Sequence, residues 1–442
     1  MRIRPASELC LSSAAWLGRV PRTWQQKKLK YAAISCDVRV DGDDAPHPYV
    51  GLEHIESWTG RLTVPEDSTS TGIVNAYKTG DVLFGKLRPY LAKVHEAQVD
   101  GVCTPEVLVL RSIEQVIPKF LFYFLANPPA IDNINSSTYG AKMPRANWEF
   151  IGGQLLLIPP REEQAAIVSF LDRETARVDT LVEKKQRLLA LLEEKRLATI
   201  TNAVTKGLNP AAPMKDSGIE WLGRIPSHWE VMSLRRLLAS DTRNGLYKSQ
   251  DQFSVDGVPF LQMGEAFAEP IFIGPASDRV LASQHELDTW GLAQGDLIFA
   301  RRSLVFEGSG KCSLVGDIGE PHILESSMIR VRLDSSRILP TLAFQFFKSA
   351  FSRATVLAQT KQVTISGIDS QQLKSLPVVV PPPNEQAKII ELISATNLQI
   401  DTLRAANFAT IDRLLEYRSA LITNAVTGKI DVRGCVSKEA AA

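Results

Sequence analysis

Ile158-Pro159-Pro160-Arg161-Glu162-Glu163-Gln164-Ala165 opens a run that continues through Val178-Asp179-Thr180-Leu181 and closes on Ile200-Thr201-Asn202-Ala203-Val204-Thr205. The same run returns later in the chain as Pro381-Pro382, Glu385-Gln386-Ala387, Asp401-Thr402-Leu403 and Ile422-Thr423-Asn424-Ala425-Val426-Thr427. One offset, that from Pro159 to Pro381, holds from the first piece to the last, as expected of a rod whose periodicity forbids slips. After the Pro-Pro breaker and an acidic first turn, apolar residues fall at Ile167, Leu171, Val178, Leu181, Leu188 and Leu192, and in the second copy at Ile389, Ile393, Ile400, Leu403, Leu414 and Leu421. Spacings of four and three keep such residues on one stripe of a helix. Roughly 40 residues make a helix about 60 Å long, and so narrow a stripe needs a second helix to cover it. The other copy is the expected partner, in an antiparallel coiled coil. Lys185 and Asn407 occupy equivalent seam positions near the two midpoints. Either they meet there and fix the register, or Lys185 snorkels off the seam.

Working outward, the rest of the chain also repeats, with looser rules. Trp16-Leu17-Gly18-Arg19-Val20-Pro21 before Trp24 returns as Trp221-Leu222-Gly223-Arg224-Ile225-Pro226 before Trp229. Gly80-Asp81-Val82-Leu83-Phe84 returns as Gly295-Asp296-Leu297-Ile298-Phe299, at a larger offset than the Trp pieces and a smaller one than the rods. An offset that drifts marks globular modules whose loops accept insertions. Short β-rich runs at Asp81–Phe84, Glu106–Leu110, Asp296–Phe299 and Ser327–Arg332 are broken by Gly and Pro, and each copy has one helix-like segment, Lys119–Ala126 and Thr341–Phe351. The expected fold class is α+β: two mixed α/β modules in tandem, each followed by a long helix, the helices paired. The expected divisions are 1–158, a module; 159–207, the first long helix; 208–380, a second module; 381–432, the second long helix; and 433–442, a tail.

The composition narrows the function. At 442 residues with 44% hydrophobic and 22% charged residues, the chain is long enough for several cores and is not a disordered polymer. No stretch reaches the roughly 18–20 apolar residues of a membrane span, and the apolar residues of the start are interrupted by Ser7, Glu8 and Ser12, which predicts a cytoplasmic location without membrane contact. Cys10, Cys36, Cys103, Cys312 and Cys435 include no C-x-x-C pair and are read as isolated thiols. A net charge of +1 excludes a global positive field, so contact with nucleic acid has to rest on local clusters.

Catalytic motifs fail one by one. Gly308-Ser309-Gly310-Lys311 would need Gly at Val305 and Ser or Thr at Cys312 to be a phosphate loop. Asn127-Pro128-Pro129-Ala130 resembles the Asn-Pro-Pro-aromatic motif of adenine methyltransferases, but Ala130 stands where an aromatic would stack on a flipped base; it reads as the end of a helix. The six histidines show no metal-ligand spacing. No catalytic, metal or cofactor-binding residue is assigned. Basic residues do recur after the Gly-Asp strand: Lys86 and Arg88, beside the aromatic Tyr90, in copy one, and Arg301 and Arg302 in copy two, with Lys311 beyond. A further cluster holds Lys142 and Arg145, matched loosely by Lys361. Cations beside an aromatic on a strand edge suit phosphates and the O6/N7 edge of guanine. These are the candidate DNA contacts.

The ordered double set, Trp-Leu-Gly-x-[Val/Ile]-Pro, Gly-Asp-x-x-Phe, Pro-Pro-x-x-Glu-Gln-Ala and Asp-Thr-Leu, is similar to that of type I restriction-modification specificity subunits. The resemblance spans nearly the whole chain. It implies two target recognition domains that read an asymmetric, split DNA sequence. It also implies helices that act as spacers and dock two methyltransferase subunits, with S-adenosylmethionine held by those partners. A restriction/translocase subunit joins in some such complexes, and the specificity subunit is itself non-catalytic. Rod length would then set the spacing of the half-sites. The second copy departs from the pattern at 361–366, where the Met143-Pro144-Arg145 of the first is missing. The competing reading is a coiled-coil scaffold that binds protein or RNA without a methyltransferase.

Overall fold

The computed structural model describes residues 1–43, 48–65, 68, 72–140, 142–303, 305–360 and 366–435. The chain forms two compact units, one of residues 1–186 with 408–442 and one of residues 187–407. Each unit therefore combines one globular module with a part of each long helix.

In the first unit, β1 (Ala33–Cys36), β2 (Val82–Gly85), β3 (Val94–Glu96) and β4 (Val107–Ser112) form an antiparallel sheet in the order β3-β2-β4-β1. The Gly-Asp-Val-Leu-Phe signature is the start of β2, and alternation explains why it is apolar throughout. Val82 and Phe84 face one core with Leu110 and with Phe120, Leu121 and Phe124 of α1 (Pro118–Leu125). Leu83 faces the opposite core with Val50, Ile55, Tyr77 and Val109. A strand covered on both faces has no place for a polar side chain. The Asp before it serves the turn: Asp81 accepts from the backbone N–H of Lys78 at 2.8 Å and takes two bonds from Arg111 at 2.8 and 2.7 Å. Gly80, at φ +85°, supplies a conformation that other residues resist. Next come α2 (Pro128–Asn135), capped by the Asn127 side chain, and α3 (Arg161–Lys206). Asn127-Pro128-Pro129-Ala130 is thus the joint between two helices.

The second unit repeats this construction. β5 (Leu297–Ala300) lies between β6 (Cys312–Val315) and β7 (Met328–Val331). Leu297 and Phe299 face one core and Ile298 the other. Asp296 accepts two 2.7 Å bonds from Arg332 and one from Ala293 N–H at 2.9 Å. Helices α4 (Pro340–Lys348) and α5 (Ala350–Gln359) precede α6 (Pro383–Val426).

The recurring Trp and Glu-Gln pieces fasten each module to a helix start. Trp24 Nε1 donates to Glu163 Oε2 at 3.1 Å, and Trp229 Nε1 to Glu385 Oε2 at 2.9 Å. Gln164 accepts from Ile117 N–H and donates to the carbonyls of Gln115 and Pro159; Gln386 does the same with Leu339, Arg337 and Pro381. Both carboxylates close joints between module and helix.

Within each unit the long helices run antiparallel. In the second, Arg196 pairs with Asp401 and Glu193 with Arg404; in the first, Arg418 Nε meets Asp179 Oδ1 at 2.9 Å. Asp179 and Asp401 are equivalent positions of the repeat, and so are Arg196 and Arg418. The Asp of each Asp-Thr-Leu therefore binds the same Arg of the opposite copy. Ile167, Leu171 and Leu421 join the core of the first unit, and Ile389 and Ile393 that of the second; Val178, Leu192 and Ile400 are also buried, and Leu414 is half-buried. Three of the expected seam residues are not covered: Leu181 and Leu188 are each 39% exposed and Leu403 50%. The covered stripe steps from Val178 to Val182, Lys185, Leu189 and Leu192, and from Ile400 to Arg404, Asn407 and Ile411. Both stripes average about 3.5 residues per turn and share Val178, Lys185 and Leu192; they differ only in the neighbour covered between these points, Val182 for Leu181 and Leu189 for Leu188. Lys185 belongs to the first unit and Asn407 to the second. The Asp179–Arg418 register sets Lys185 level with Asp412, and the Glu193–Arg404 register sets Asn407 level with Ala190. Asn407 instead donates to Leu403 O of its own helix at 2.7 Å.

In each unit burial disfavours the protonated form of one histidine. His322 Nε2 accepts from Ala276 N–H at 3.0 Å, which leaves the proton on Nδ1 for Glu320 O at 2.7 Å. His95 Nδ1 meets Gly60 O at 2.8 Å. Burial lowers both pKa values below the ordinary 6.5. A histidine that resists protonation in the fold stabilises it fully above the unfolded pKa, and that stability is lost as pH falls below about 6.5 toward the folded value. Urea midpoints should therefore drop between pH 8 and pH 5.5, and His322→Gln should flatten that dependence for the second unit.

Candidate nucleic-acid interface

The backbone brings together basic segments of the first module that lie far apart in sequence. Where β2 ends, Lys86 O accepts from Ala146 N–H at 2.9 Å and Arg88 N–H donates to Pro144 O at 2.7 Å, with Leu87 and Arg145 bridged. Arg88 sits at φ +52°, a left-handed conformation unusual for a side-chain-bearing residue, held by the following Pro89 turn. Arg88, Tyr90 and Lys142 are exposed, as are Tyr139 and Met143 of the apposed loop. Lys86 is half-buried and lines a cleft of about 380 Å³ with Asn75, Arg39 and Pro105. Arg145 has other work. Its guanidinium makes two 3.0 Å bonds to the carboxylate of Glu106 on the neighbouring strand connection, so it braces the loop instead of presenting a free cation.

The second module shows the same joint. Lys86 N–H donates to Glu106 O, and Arg301 N–H to Ser327 O; Ala146 N–H donates to Lys86 O, and Ile368 N–H to Arg301 O. Arg301 is thus the counterpart of Lys86. Arg302 is exposed and pairs in register with Gly367, the counterpart of Arg145. Arg145 and Glu106 are replaced together, by Gly367 and Ser327. The missing Met-Pro-Arg is therefore the loss of a whole brace, partner included. Lys311 donates to Phe267 O at 3.0 Å, and its counterpart Lys93 to Leu52 O and Ile55 O at 2.6 and 2.9 Å. Both ammonium groups tie a loop to the sheet. Lys361 lies outside the described residues.

The sequence gives no sign of the role of the loop Glu56–Arg61. Arg61 pairs with Glu183 and Asp179, and Trp58 O accepts from Arg418 Nη1 at 3.1 Å. The loop clasps the helices within the first unit. Among the described residues no three His, Cys, Asp or Glu side chains gather as a metal site, and no helix is long and apolar enough to cross a membrane.

Comparison with known families places the chain as a whole. The family model described as type I restriction modification DNA specificity domain matches residues 77–190 and 226–407, one match for each repeat. The chain belongs to this specificity family. The specificity subunit of the EcoKI type I restriction enzyme from Escherichia coli is 26% identical over 73% of this chain and 68% of its own length. The MjaVIII specificity subunit from Methanocaldococcus jannaschii is 21% identical over 94% of this chain and 95% of its own. Among solved structures, a chain from a study of complex assembly and conformational transition of the type I R-M system aligns with a TM-score of 0.73 at 18% identity, covering 93% of this chain and 99% of that one. The HsdS subunit from Thermoanaerobacter tengcongensis aligns with a TM-score of 0.54, also at 18% identity, covering 93% and 98%. As a specificity subunit, the chain recognises DNA sequence and is not the catalytic component. The repeated Trp, Asp, Glu and Gln hold each module to its helix and its strands.

Proposed function

We propose that residues 1–158 and 208–380 are two target recognition domains, each reading one half of an asymmetric, interrupted DNA sequence. The observation that carries this is a pair of basic edges at equivalent places with unequal chemistry: Lys86, Arg88, Tyr90 and Lys142 in one, Arg301 and Arg302 in the other. Sameness of place supports one mode of docking, and difference of side chains supports different target words. Methylation is supplied by partner methyltransferase subunits that hold S-adenosylmethionine, two per chain, and a restriction/translocase subunit is an optional addition. This work belongs to the cytoplasm, where the DNA is.

Support for two identical partners comes from the helices. Leu181 and Leu403 are equivalent positions of the repeat, and each is exposed two residues after the Asp of an interhelical Asp–Arg pair. An apolar residue kept in the open at both positions suits a protein surface presented twice.

The test is to co-express the chain with the methyltransferase encoded beside it and sequence the methylome. An interrupted, non-palindromic methylated site is expected. Arg88→Ala should relax or weaken recognition at one half only, leaving the other half read as before. Equal loss at both halves, or methylation without sequence preference, would sink the proposal.

A further inference from the structure

The second unit holds a basic pocket built on two cations, Lys348 and Arg353. A cavity of about 300 Å³ lies between the Phe267–Pro270 loop, Lys311 and Cys312, the end of α4 at Phe347 and Lys348, and Arg353 on α5. Three lining residues are cations. Among the described residues, none of Lys311, Lys348 and Arg353 has a carboxylate within ion-pair distance. Glu269, the acidic residue of the lining, is exposed and pairs with none of them. The carboxylates of Asp401 and Glu193, which act on Lys348 from a distance, are engaged by Arg196 and Arg404. Arg353 Nη2 donates to Glu307 O, but its buried Nη1 has no partner.

Cations taken out of water without a counter-ion cost stability. Burial accordingly lowers the pKa values of Lys348 and Arg353. An anion in the cavity would reverse that cost. At the offset that carries Pro118 of α1 onto Pro340 of α4, the equivalent positions in the first copy are Ala126 and Ile131, so this feature belongs to one unit alone. Its location also bears on its use. Gly310 N–H donates to Ala300 O and Ala300 N–H to Lys311 O, which sets the pocket at the strand end from which Arg301 and Arg302 emerge.

We propose that this pocket seats a phosphate group, held by Lys348 and Arg353, and that its source is the backbone of DNA bound to the second unit. The assignment of the source rests on the DNA-recognition reading; the anion site itself does not. The second recognition domain then grips its half-site with a backbone contact that the first cannot make.

The assembled methyltransferase complex and a duplex carrying its methylated site provide the test. Arg353→Gln and Lys348→Gln should each lower the slope of log Kd against log salt by about 0.9, the loss of one phosphate contact, with no change in the bases preferred. Should Arg353→Gln fail to fold, Lys348→Gln carries the measurement. A second arm compares melting in inorganic phosphate and in chloride at equal ionic strength. Stabilisation of the wild type that both variants lack, with an unchanged DNA slope, supports the phosphate seat with a free anion as its occupant. An unchanged slope together with no phosphate-specific stabilisation overturns the proposal. A wild-type complex indifferent to sequence would instead defeat the recognition reading and leave the phosphate arm standing.

Discussion

Trp229→Ala should lower the unfolding free energy of the second unit by about 3–5 kcal/mol, the range for removing a large aromatic from a core. Trp229 is fully buried, and the core it belongs to draws on three separate stretches of chain: Ile200, Ala203 and Val204 on α3, Leu234 and Leu237 of the module, and Ile389 and Ile393 on α6. A cavity there cannot be closed by moving one element, because each is fixed by its own partners. The indole N–H is also lost from Glu385. Trp229→Phe separates the two contributions. It keeps most of the volume and removes the hydrogen bond, whose net worth to a charged, partly exposed acceptor is about 1 kcal/mol. Urea unfolding of the full chain should show the second unit's transition moved far to lower denaturant for Ala and slightly for Phe. Equal, small shifts for both would mean that Trp229 is a surface plug and that the repeated motif has another use.

This prediction rests on a signature whose meaning is only half legible in the sequence. The long helices can be read because one offset relates every repeated piece from Pro159 to Thr205 with its counterpart from Pro381 to Thr427, and a rod tolerates no insertion. The paired Asp and Arg that lock them cannot, because their contact joins Asp179 to Arg418 and Arg196 to Asp401, across separate helices. The seam is misplaced by one residue at Leu181, Leu188 and Leu403 because steps of three-then-four and four-then-three keep one helix stripe equally well, and only packing selects Val182, Leu189 and Arg404.

The basic edge divides in the same way. Lys86, Arg88 and Tyr90 follow a readable strand. The brace between Arg145 and Glu106 joins residues far apart in sequence and appears only on folding. A signal for it does exist, since Gly367 and Ser327 replace both members together in the second copy. Lys311 has a comparable clue in Lys93, which ties a loop from the matching strand end. The clasp at Trp58 and Arg61 leaves no such trace, because its partners Asp179, Glu183 and Arg418 lie on helices far away in sequence.

Changing Leu181 and Leu403 together to Asp should abolish co-purification of the methyltransferase, while the melting of the chain alone stays near that of the wild type. Both leucines are substantially exposed, 39% and 50%, so a carboxylate at either site costs the isolated fold little. At an interface the same change buries an unpaired charge and removes an apolar anchor, and such central residues carry about 2–4 kcal/mol each, roughly 30- to 800-fold in affinity. The single variants are the more informative. If the repeat presents one surface twice, Leu181→Asp and Leu403→Asp should each leave one methyltransferase bound, and mass measurement of the purified complexes should show one copy lost in either case. Leu189→Asp is the contrasting control: it lies on the covered stripe, and its effect should appear first in the melting of the chain. Two copies retained in both single variants would place the docking surface elsewhere on the helices. Loss of both copies from either one would mean that the partners bind as a unit, each requiring the other.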